Sequence, residues 1–240
     1  MNLRDAFEPD GVVAVVGAGG KKSTLYALAT ALERAVVTAS VRIPIFDGQV
    51  AEIRVTDTPA EAVGNVDEWP IGLVPGRDGE RSRYLGYGTE VIDRLAAATD
   101  VPILVKADGA RTRLFKAPDD DEPQAPASTD LLVPIASVQA VGKPLDPEHV
   151  HRPERVADLT GLSIGDRIDP ADIVTVLTDE RGGLKGAPDG ARVVPLLNMV
   201  DDEELEAKAR PIATELLSEP RIERVVLGRM DRGRVVDIVE

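Results

Sequence analysis

The chain has 240 residues, a formal net charge of −14 at pH 7 and no cysteine. Without cysteine, the chain has no disulfide, thiolate metal site, cysteine nucleophile or cysteine-bound iron–sulfur cluster. The large negative charge disfavours binding to nucleic acids and to anionic membranes, so we expect neither as a partner.

Apolar runs alternate with helix-like segments along the chain. The apolar runs predict strands at residues 12–16, 35–39, 101–105, 130–135, 193–197 and 225–227. The helix-like segments predict helices at residues 23–34, 89–98, 155–161 and 201–218. This alternation indicates an α/β fold of three layers, in which a mostly parallel sheet carries helices on both faces.

We expect residues 1–240 to form a single domain, because the chain is long enough for one large core. Glycine and proline interrupt residues 42–88, where we predict an irregular insertion with two or three strands and a short helix near 59–63. A C-terminal hairpin is predicted over residues 222–239, turning at 231–233. No window approaches the length of apolar sequence that a membrane helix needs, so we expect a cytoplasmic protein.

The first apolar run leads directly into the sequence G-A-G-G-K-K-S-T. A strand, a glycine-rich turn and a helix start in this order favour phosphate binding, because the helix start offers free N–H groups and a positive dipole end. A lysine adds positive charge, and a hydroxyl beside it can ligate the Mg²⁺ of a nucleotide. We therefore predict a fold of the P-loop NTPase type that binds Mg²⁺ with GTP or ATP. The predicted nucleotide-binding residues of the loop are Gly17, Ala18, Gly19, Gly20, Lys21, Lys22, Ser23 and Thr24.

The loop departs from the standard pattern G-x-x-x-x-G-K-[ST], and two assignments each fit in part. If Lys22 is the phosphate lysine, Ser23 supplies the metal hydroxyl but Lys21 replaces the preceding glycine. If Lys21 is the phosphate lysine, Gly20 is correct but Lys22 stands where the hydroxyl should be. We favour Lys22 with Ser23, because a metal hydroxyl contributes chemistry whereas a glycine only permits a backbone angle. The alternative to both is a plain glycine-rich turn.

Asp108 follows the predicted strand 101–105 and precedes a glycine. The carboxyl end of a parallel strand beside the loop places this carboxylate near the phosphates, where it can hold Mg²⁺ through water. We predict Ser23 and Asp108 as metal ligands, and Lys22, Asp108 and Arg111 as the catalytic set. The alternative for Asp108 is a turn residue that caps the next segment.

The predicted strand 193–197 ends in N-M-V-D, which resembles the N-K-x-D motif that recognises guanine in GTP-binding proteins. A carboxylate at Asp201 accepts hydrogen bonds from the guanine edge that adenine does not offer. We therefore predict Asn198 and Asp201 as base-binding residues, with GTP slightly preferred over ATP. Asp201 is equally suited to be the N-cap of the following helix.

Both histidines of the chain lie in one short segment, and basic residues accompany them. An H-x-H pair on an extended segment points both rings to one side, where they bind a metal or an anion. With no clear third ligand, an anionic substrate is as plausible as a metal. The predicted anion-binding residues are Lys116, Lys143, His149, His151 and Arg152.

Taken together, these motifs resemble the YqeC-type accessory proteins of selenium-dependent molybdenum hydroxylases. The resemblance covers most of the chain. It is carried by V-G-A-G-G-K at 16–21, T-A-S at 38–40, A-D-G-A-R at 107–111, K-A-P at 116–118, E-P at 122–123, G-K-P-L at 142–145, V-H-R-P-E at 150–154, G-L-K-G at 183–186 and L-N-x-x-D at 197–201. It implies a P-loop nucleotide-binding fold and a role in maturing a molybdenum-containing enzyme. The chain departs from the family pattern at Lys106, where the family has an acid, and at Ala110, where it has serine, so the resemblance does not imply fast hydrolysis.

Three functions remain open from the sequence. The first is an accessory factor that binds GTP or ATP and hydrolyses it or switches with it during maturation of a molybdenum hydroxylase. The second is a phosphoryl or nucleotidyl transferase that acts on a metal-cofactor precursor, and the third is a non-catalytic, nucleotide-gated escort. The implied partners are a hydroxylase apoenzyme or a molybdenum-cofactor-related ligand. A homodimer is compatible with each, because a basic residue from a second copy can complete a phosphate-loop site.

The acidic composition also bears on the source of the protein. Salt screens the self-repulsion of a strongly acidic surface, so such a surface is typical of proteins kept soluble in concentrated salt. We therefore expect a salt-adapted cytoplasm and an archaeal source.

Overall fold

The computed structural model describes residues 2–240. Its helices are α1 Leu3–Phe7, α2 Lys21–Leu32, α3 Pro59–Ala62, α4 Thr89–Ala96, α5 Pro153–Thr160, α6 Pro170–Thr178 and α7 Glu203–Leu216. Its strands are β1 Val12–Gly17, β2 Val36–Ala39, β3 Ile43–Pro44, β4 Glu52–Val55, β5 Ile71–Val74, β6 Arg77–Asp78, β7 Arg83–Tyr84, β8 Ile103–Lys106, β9 Phe115–Lys116, β10 Thr129–Ser137, β11 Val150–His151, β12 Arg192–Val193, β13 Leu196–Asn198, β14 Val225–Arg229 and β15 Arg234–Val239.

One large sheet dominates the fold, with the strand order β15-β14-β13-β10-β1-β8-β2-β5-β4 and with β12 paired to β10. Neighbouring strands are parallel throughout, except that β15 runs antiparallel to β14. The central strands are rich in valine, leucine, isoleucine and alanine and are buried on both faces, as parallel strands require. The predicted α/β fold with a mostly parallel sheet is confirmed.

Side chains of the central strands alternate between two cores on opposite faces of the sheet. In β1, Val13 and Val15 pack in the same core as Leu25 of α2. Ala14 and Val16 point the other way, into the core that contains residues of α5, α6 and α7. Helices α1 and α2 therefore cover one face and α5 to α7 cover the other, where α3 and α4 pack beside them. The predicted three layers are present.

The predicted helices at 23–34, 89–98, 155–161 and 201–218 are confirmed as α2, α4, α5 and α7, with no end shifted by more than two residues. Helix α6 is not among the predicted helices, since its apolar, β-branched sequence lacks an obvious helical stripe. A capping box between Asp169 and Asp172, with a proline at the first turn, stabilises its start. The predicted strand 193–197 is divided into β12 and β13, because Pro195 has no N–H to offer the ladder.

Residues 42–88 hold α3 and five short strands, so the prediction of two or three strands in this segment is wrong. Strands β4 and β5 extend the main sheet at its edge, whereas β3, β6 and β7 form a small antiparallel sheet. The predicted short helix near 59–63 is present as α3, and the predicted C-terminal hairpin is present as β14 and β15, joined by the turn 230–232. No helix within residues 2–240 combines the length and apolar character needed to cross a bilayer. The assignment of the chain to one domain stays a prediction.

Candidate functional site

The glycine-rich loop connects the carboxyl end of β1 to the start of α2 at the centre of the sheet. Gly17, Gly19 and Gly20 have φ angles of +86°, +89° and +125°, a region that other residues rarely adopt. A Cβ atom on Gly17 would overlap the carbonyl oxygen of Ile135, and one on Gly20 would overlap Asn198 Nδ2. Both the backbone angles and the close packing therefore require glycine here.

The first half of the loop is packed against its neighbours. The N–H groups of Gly17, Ala18 and Gly19 each donate a hydrogen bond of 2.9 Å within the protein. Their acceptors are Asp108 Oδ2, Ile135 O and Arg113 O, respectively. These N–H groups are therefore not free for a ligand in this conformation.

The second half of the loop coincides with the first turn of α2. Thr24 is the first residue whose N–H bonds back into the helix, to the carbonyl of Gly20 at 3.0 Å. Gly20, Lys21, Lys22 and Ser23 have no backbone acceptor for their N–H groups within residues 2–240, and Gly20 has no side chain that could cap the helix. The positive end of α2 is thus the part of the loop that is suited to an anion.

The two loop lysines lie in different environments. Lys21 is only 6% exposed, and its ammonium group donates to the carbonyl of Gly17 and forms an ion pair of 2.9 Å with Asp108 Oδ1. Burial lowers the pKa of Lys21, although the carboxylate of Asp108 opposes this effect. Lys22 is half-buried, and its ammonium has no carboxylate partner within residues 2–240. Lys21 is therefore the lysine that turns back into the loop.

Asp108 is fully buried just after β8, next to β1. Its Oδ2 accepts from the Gly17 N–H and forms an ion pair of 2.9 Å with Lys116, which is itself 4% exposed. Burial opposes ionisation of Asp108, but Lys21 and Lys116 outweigh that effect and lower its pKa. The carboxylate is therefore charged and holds two buried ammonium groups beside the loop.

A third buried lysine, Lys106, ends strand β8 and is 7% exposed. Its ammonium donates to two backbone carbonyls, that of Asp108 at 2.6 Å and that of Arg42 at 3.0 Å. Burial, together with the positive charge of Lys21, lowers the pKa of Lys106 to about 7. Lys106 thereby joins the loop after β2 to the loop after β8.

Lys116 also contacts Glu122, with 2.6 Å between Nζ and Oε2. Arg152 Nη1 approaches the same carboxylate oxygen to 2.6 Å. Burial opposes the ionisation of Glu122, but Lys116 and Arg152 outweigh it and lower its pKa to about 2. Glu122 therefore helps to fix the acidic, proline-rich segment 117–128 to the site, together with the hydrogen bond from the Gln124 N–H to the carbonyl of Ala107.

The predicted anion-binding residues divide into two groups. Lys116 and Arg152 meet at Glu122, and His151 pairs with Lys116 in the small β9–β11 sheet. Burial and the neighbouring Lys116 lower the pKa of His151 to about 4, so its ring is neutral at pH 7. Lys143 is exposed, and His149 pairs with Asp146 at 2.9 Å instead.

Asn198 and Asp201 have different roles in the fold. Asn198 is 2% exposed, its Nδ2 donates to the carbonyl of Gly19 at 2.7 Å, and its Oδ1 accepts from the N–H of Met230 at 3.0 Å. Asp201 accepts from Gln139 Nε2 at 2.7 Å and lies 3.2 Å from Arg229 Nε. The expectation that Asp201 caps α7 is wrong, because Asp202 is the N-cap and accepts from the Leu205 N–H.

The hydroxyl groups after the loop lysines do not contact Asp108. Thr24 is buried, and its hydroxyl donates to the carbonyl of Gly20 at 3.1 Å. Ser23 lies on the side of α2 that faces the turn 230–233. Arg111, the third member of the predicted catalytic set, lies in the exposed turn after Asp108 with a φ angle of +46°.

Cavities are distributed unevenly around the site. A cavity of about 20 Å³, the size of a single water molecule, borders Gly17, Asp108 and Lys116. A much larger cavity of about 720 Å³ lies at the opposite edge of the sheet, bordered by Asp93, Asp130 and other residues at the amino ends of the strands. The chemical groups described above are therefore gathered at the carboxyl ends of the strands, away from the larger cavity.

Comparison with known proteins gives one family. Residues 13–154 match the family described as YqeC protein, and this range contains the loop, Asp108, Glu122 and Arg152. The chain is also 29% identical over 223 residues to "Uncharacterized protein YqeC" of Escherichia coli (strain K12), an alignment that covers 90% of this chain and 86% of that protein. The resemblance found from the motifs is confirmed, and the chain belongs to the YqeC family.

Proposed function

We propose that this protein binds a nucleotide by its phosphate groups at the start of α2. The observation that supports this most directly is the position of Lys21, which turns back into the glycine-rich loop and pairs with Asp108 after the neighbouring strand. The free N–H groups at the start of α2 lie next to this lysine. A phosphate group at this point gains hydrogen bonds, the helix dipole and a positive charge together.

The charge of the surrounding groups also favours an anion. Two buried lysines, Lys21 and Lys116, contact the buried carboxylate of Asp108, and a third, Lys106, donates to the backbone carbonyl of the same residue. Glu122 offsets one further charge, but it is shared with Arg152. Burial lowers the pKa of Lys106 to about 7, because its charge has no carboxylate partner within residues 2–240. An anionic ligand nearby would stabilise the protonated form of Lys106 and would be stabilised by it in turn.

The site supports binding and switching better than rapid hydrolysis. Both carboxylates next to the loop, Asp108 and Glu122, already form ion pairs with lysines. A carboxylate held in this way does not readily accept a proton from an attacking water. Slow turnover or none is therefore the expected behaviour, as in a nucleotide-gated escort.

The choice between GTP and ATP depends on Asp201. The polar atoms of Asn198 are both used within the protein, so Asn198 supports the loop rather than a base. Asp201 is exposed, and its partners Gln139 and Arg229 are partly exposed side chains of the kind that rearrange on binding. GTP remains our preferred nucleotide, with Asp201 as the group that selects it.

Isothermal titration calorimetry with GTP, ATP and their diphosphates tests the proposal. We expect wild-type protein to bind a triphosphate, and Lys21→Met to lose at least tenfold in affinity, because it removes the ammonium inside the loop. Lys208→Met, which removes a partly exposed lysine of α7 outside the cluster, serves as the matched control. Circular dichroism identifies any variant that has unfolded. Equal affinity of wild type and a folded Lys21→Met would refute the proposed role of this loop.

We further propose that the client of this protein is a molybdenum-containing hydroxylase, as the family resemblance implies. Lys116, His151 and Arg152 lie together beside the loop. The partly exposed guanidinium of Arg152 offers positive charge, and the neutral ring of His151 offers a hydrogen bond, to an anionic cofactor precursor as a second ligand. Affinity purification of the protein from its source, with molybdenum measured in the eluate, tests the role. A nucleotide-dependent association with a molybdenum enzyme supports it, and recovery of the protein without such a partner in either nucleotide state contradicts it.

A further inference from the structure

We propose that the loop binds its nucleotide without magnesium, with lysine ammonium groups in place of the metal ion. The inference rests on the proposed nucleotide binding and deepens it by naming the form of the ligand. It follows from the ligands that the site offers around Lys21, Lys22 and Asp108.

The position that normally supplies a metal hydroxyl is occupied by a lysine. In the pattern G-K-[ST], the hydroxyl follows the phosphate lysine directly. Since Lys21 is the lysine that turns into the loop, the residue in the hydroxyl position is Lys22. The next hydroxyls do not replace it, because Ser23 faces the turn 230–233 and Thr24 donates to the carbonyl of Gly20.

The carboxylate that would hold the metal is already used. Asp108 Oδ1 pairs with Lys21, and Oδ2 pairs with Lys116 and accepts from the Gly17 N–H, all at 2.9 Å. Magnesium requires nearly ideal octahedral coordination by oxygen at short distances. A dication bound directly to Asp108 would have to displace the two buried ammonium groups, and one held through water would still be repelled by them. The donor set of this site does not fit magnesium.

The same groups suit a nucleotide that carries its full charge. A triphosphate without magnesium is more negative than its magnesium complex, and it offers free oxygens to several ammonium groups at once. Lys21 turns into the loop, and Lys22 lies in the first turn of α2 with an ammonium that pairs with no carboxylate within residues 2–240. Lys106, whose pKa is about 7, adds a third positive charge when it is protonated. We therefore expect the metal-free nucleotide to bind at least as tightly as the magnesium complex.

Calorimetric titration of GTP and ATP into the full-length protein, once in excess Mg²⁺ and once in EDTA, tests this inference. Wild-type affinity is expected to differ by less than threefold between the two conditions, or to be higher in EDTA. Lys22→Met is expected to bind at least fivefold more weakly than wild type in EDTA, because it removes the charge that stands in for the metal. Lys208→Met, which removes a partly exposed lysine of α7 outside the cluster, is expected to match wild type.

The possible results separate this inference from the proposed function. A threefold or greater gain in wild-type affinity on adding Mg²⁺ would overturn the inference and leave nucleotide binding intact. Unchanged affinity of Lys22→Met in EDTA would also overturn it, because Lys22 would then contribute no charge to the ligand. No binding in either condition would reject the proposed function, and the inference with it.

Discussion

Asn198 is joined to Gly19 by a buried hydrogen bond of 2.7 Å that connects β13 to the middle of the glycine-rich loop. The same side chain accepts a hydrogen bond of 3.0 Å from the N–H of Met230, at the turn of the C-terminal hairpin. One amide group therefore fixes the loop relative to the hairpin. The loop belongs to the first 20 residues of the chain, but its shape depends on residues near the other end.

Replacing Asn198 by Ala is expected to destabilise the protein by about 1–3 kcal/mol, because the Gly19 carbonyl and the Met230 N–H lose their buried partner. Urea unfolding measures the change. The matched control Gln139→Ala removes a hydrogen bond at the surface and is expected to cost less than about 0.5 kcal/mol. Equal stability of Asn198→Ala and the control would contradict the supporting role assigned to Asn198.

Gly20 tests how tightly the loop is built. A Cβ atom at this position meets Asn198 Nδ2 and must also accept a φ angle of +125°. Gly20→Ala is therefore expected to lose nucleotide affinity and stability. Gly142→Ala is the control, because Gly142 has a φ angle of +81° but an added methyl group there would meet no atom within 4 Å. Both variants carry backbone strain, so the difference in stability between them measures the cost of the contact with Asn198. Equal stability of the two variants would contradict that contact.

Glu122 gives the fold an acid-sensitive point. Its pKa is lowered from the ordinary value of 4.5 to about 2 in the folded protein. The contribution of its carboxylate to stability is therefore fully present above pH 4.5. This contribution is lost as pH falls from 4.5 towards 2, because the proton then binds more readily to the unfolded chain. Glu122→Gln is expected to be less stable than wild type at pH 7 and to lose less stability on acidification. Thermal unfolding between pH 2.5 and 7 checks this, and parallel curves for the two proteins would contradict it.

The net charge of −14 leads to a prediction about salt. Self-repulsion among surface carboxylates opposes the compact state. Salt screens this repulsion between charges that lie further apart than the Debye length, which is about 3 Å at 1 M. We expect the midpoint of thermal unfolding to rise steadily between 0.1 M and 2 M potassium chloride. The same measurement in glucose at matched water activity, in place of salt, distinguishes the screening of charges from the general exclusion of solutes from the protein surface. A midpoint that does not depend on salt would remove the case for a salt-adapted source.

The loop can be located from the sequence because its signals are local. Five apolar residues, three glycines and a helix-like segment follow one another within about 20 positions. Local signals do not decide in the same way whether Lys21 or Lys22 is the phosphate lysine. Neighbouring residues on a helix point about 100° apart, so a shift of one residue in the start of α2 decides which lysine enters the loop. The sequence pattern favours Lys22, whereas the structure turns Lys21 inward.

Glu122 and Lys106 do not stand out as site residues in the sequence, because their roles depend on distant parts of the chain. Glu122 lies in a segment whose composition is typical of a solvated loop, and its partner Arg152 comes next to it only through the pairing of β9 with β11. Lys106 is noticeable only as a departure from the family pattern. Its contact with the carbonyl of Arg42 depends on β2 and β8 being neighbours in the sheet. Pairings between distant segments are the part of this fold that periodicity does not reveal.

The burial of Lys21, Lys106 and Lys116 also has a kinetic consequence. These lysines are withdrawn from the surface, so they contact an approaching molecule only when it has reached the start of α2, whereas the net charge of −14 acts on it from a distance. A phosphate-bearing ligand is therefore repelled at long range and attracted only once it reaches the start of α2. Its association rate should increase with ionic strength, which is the opposite of the behaviour of proteins that steer anions with exposed basic surfaces.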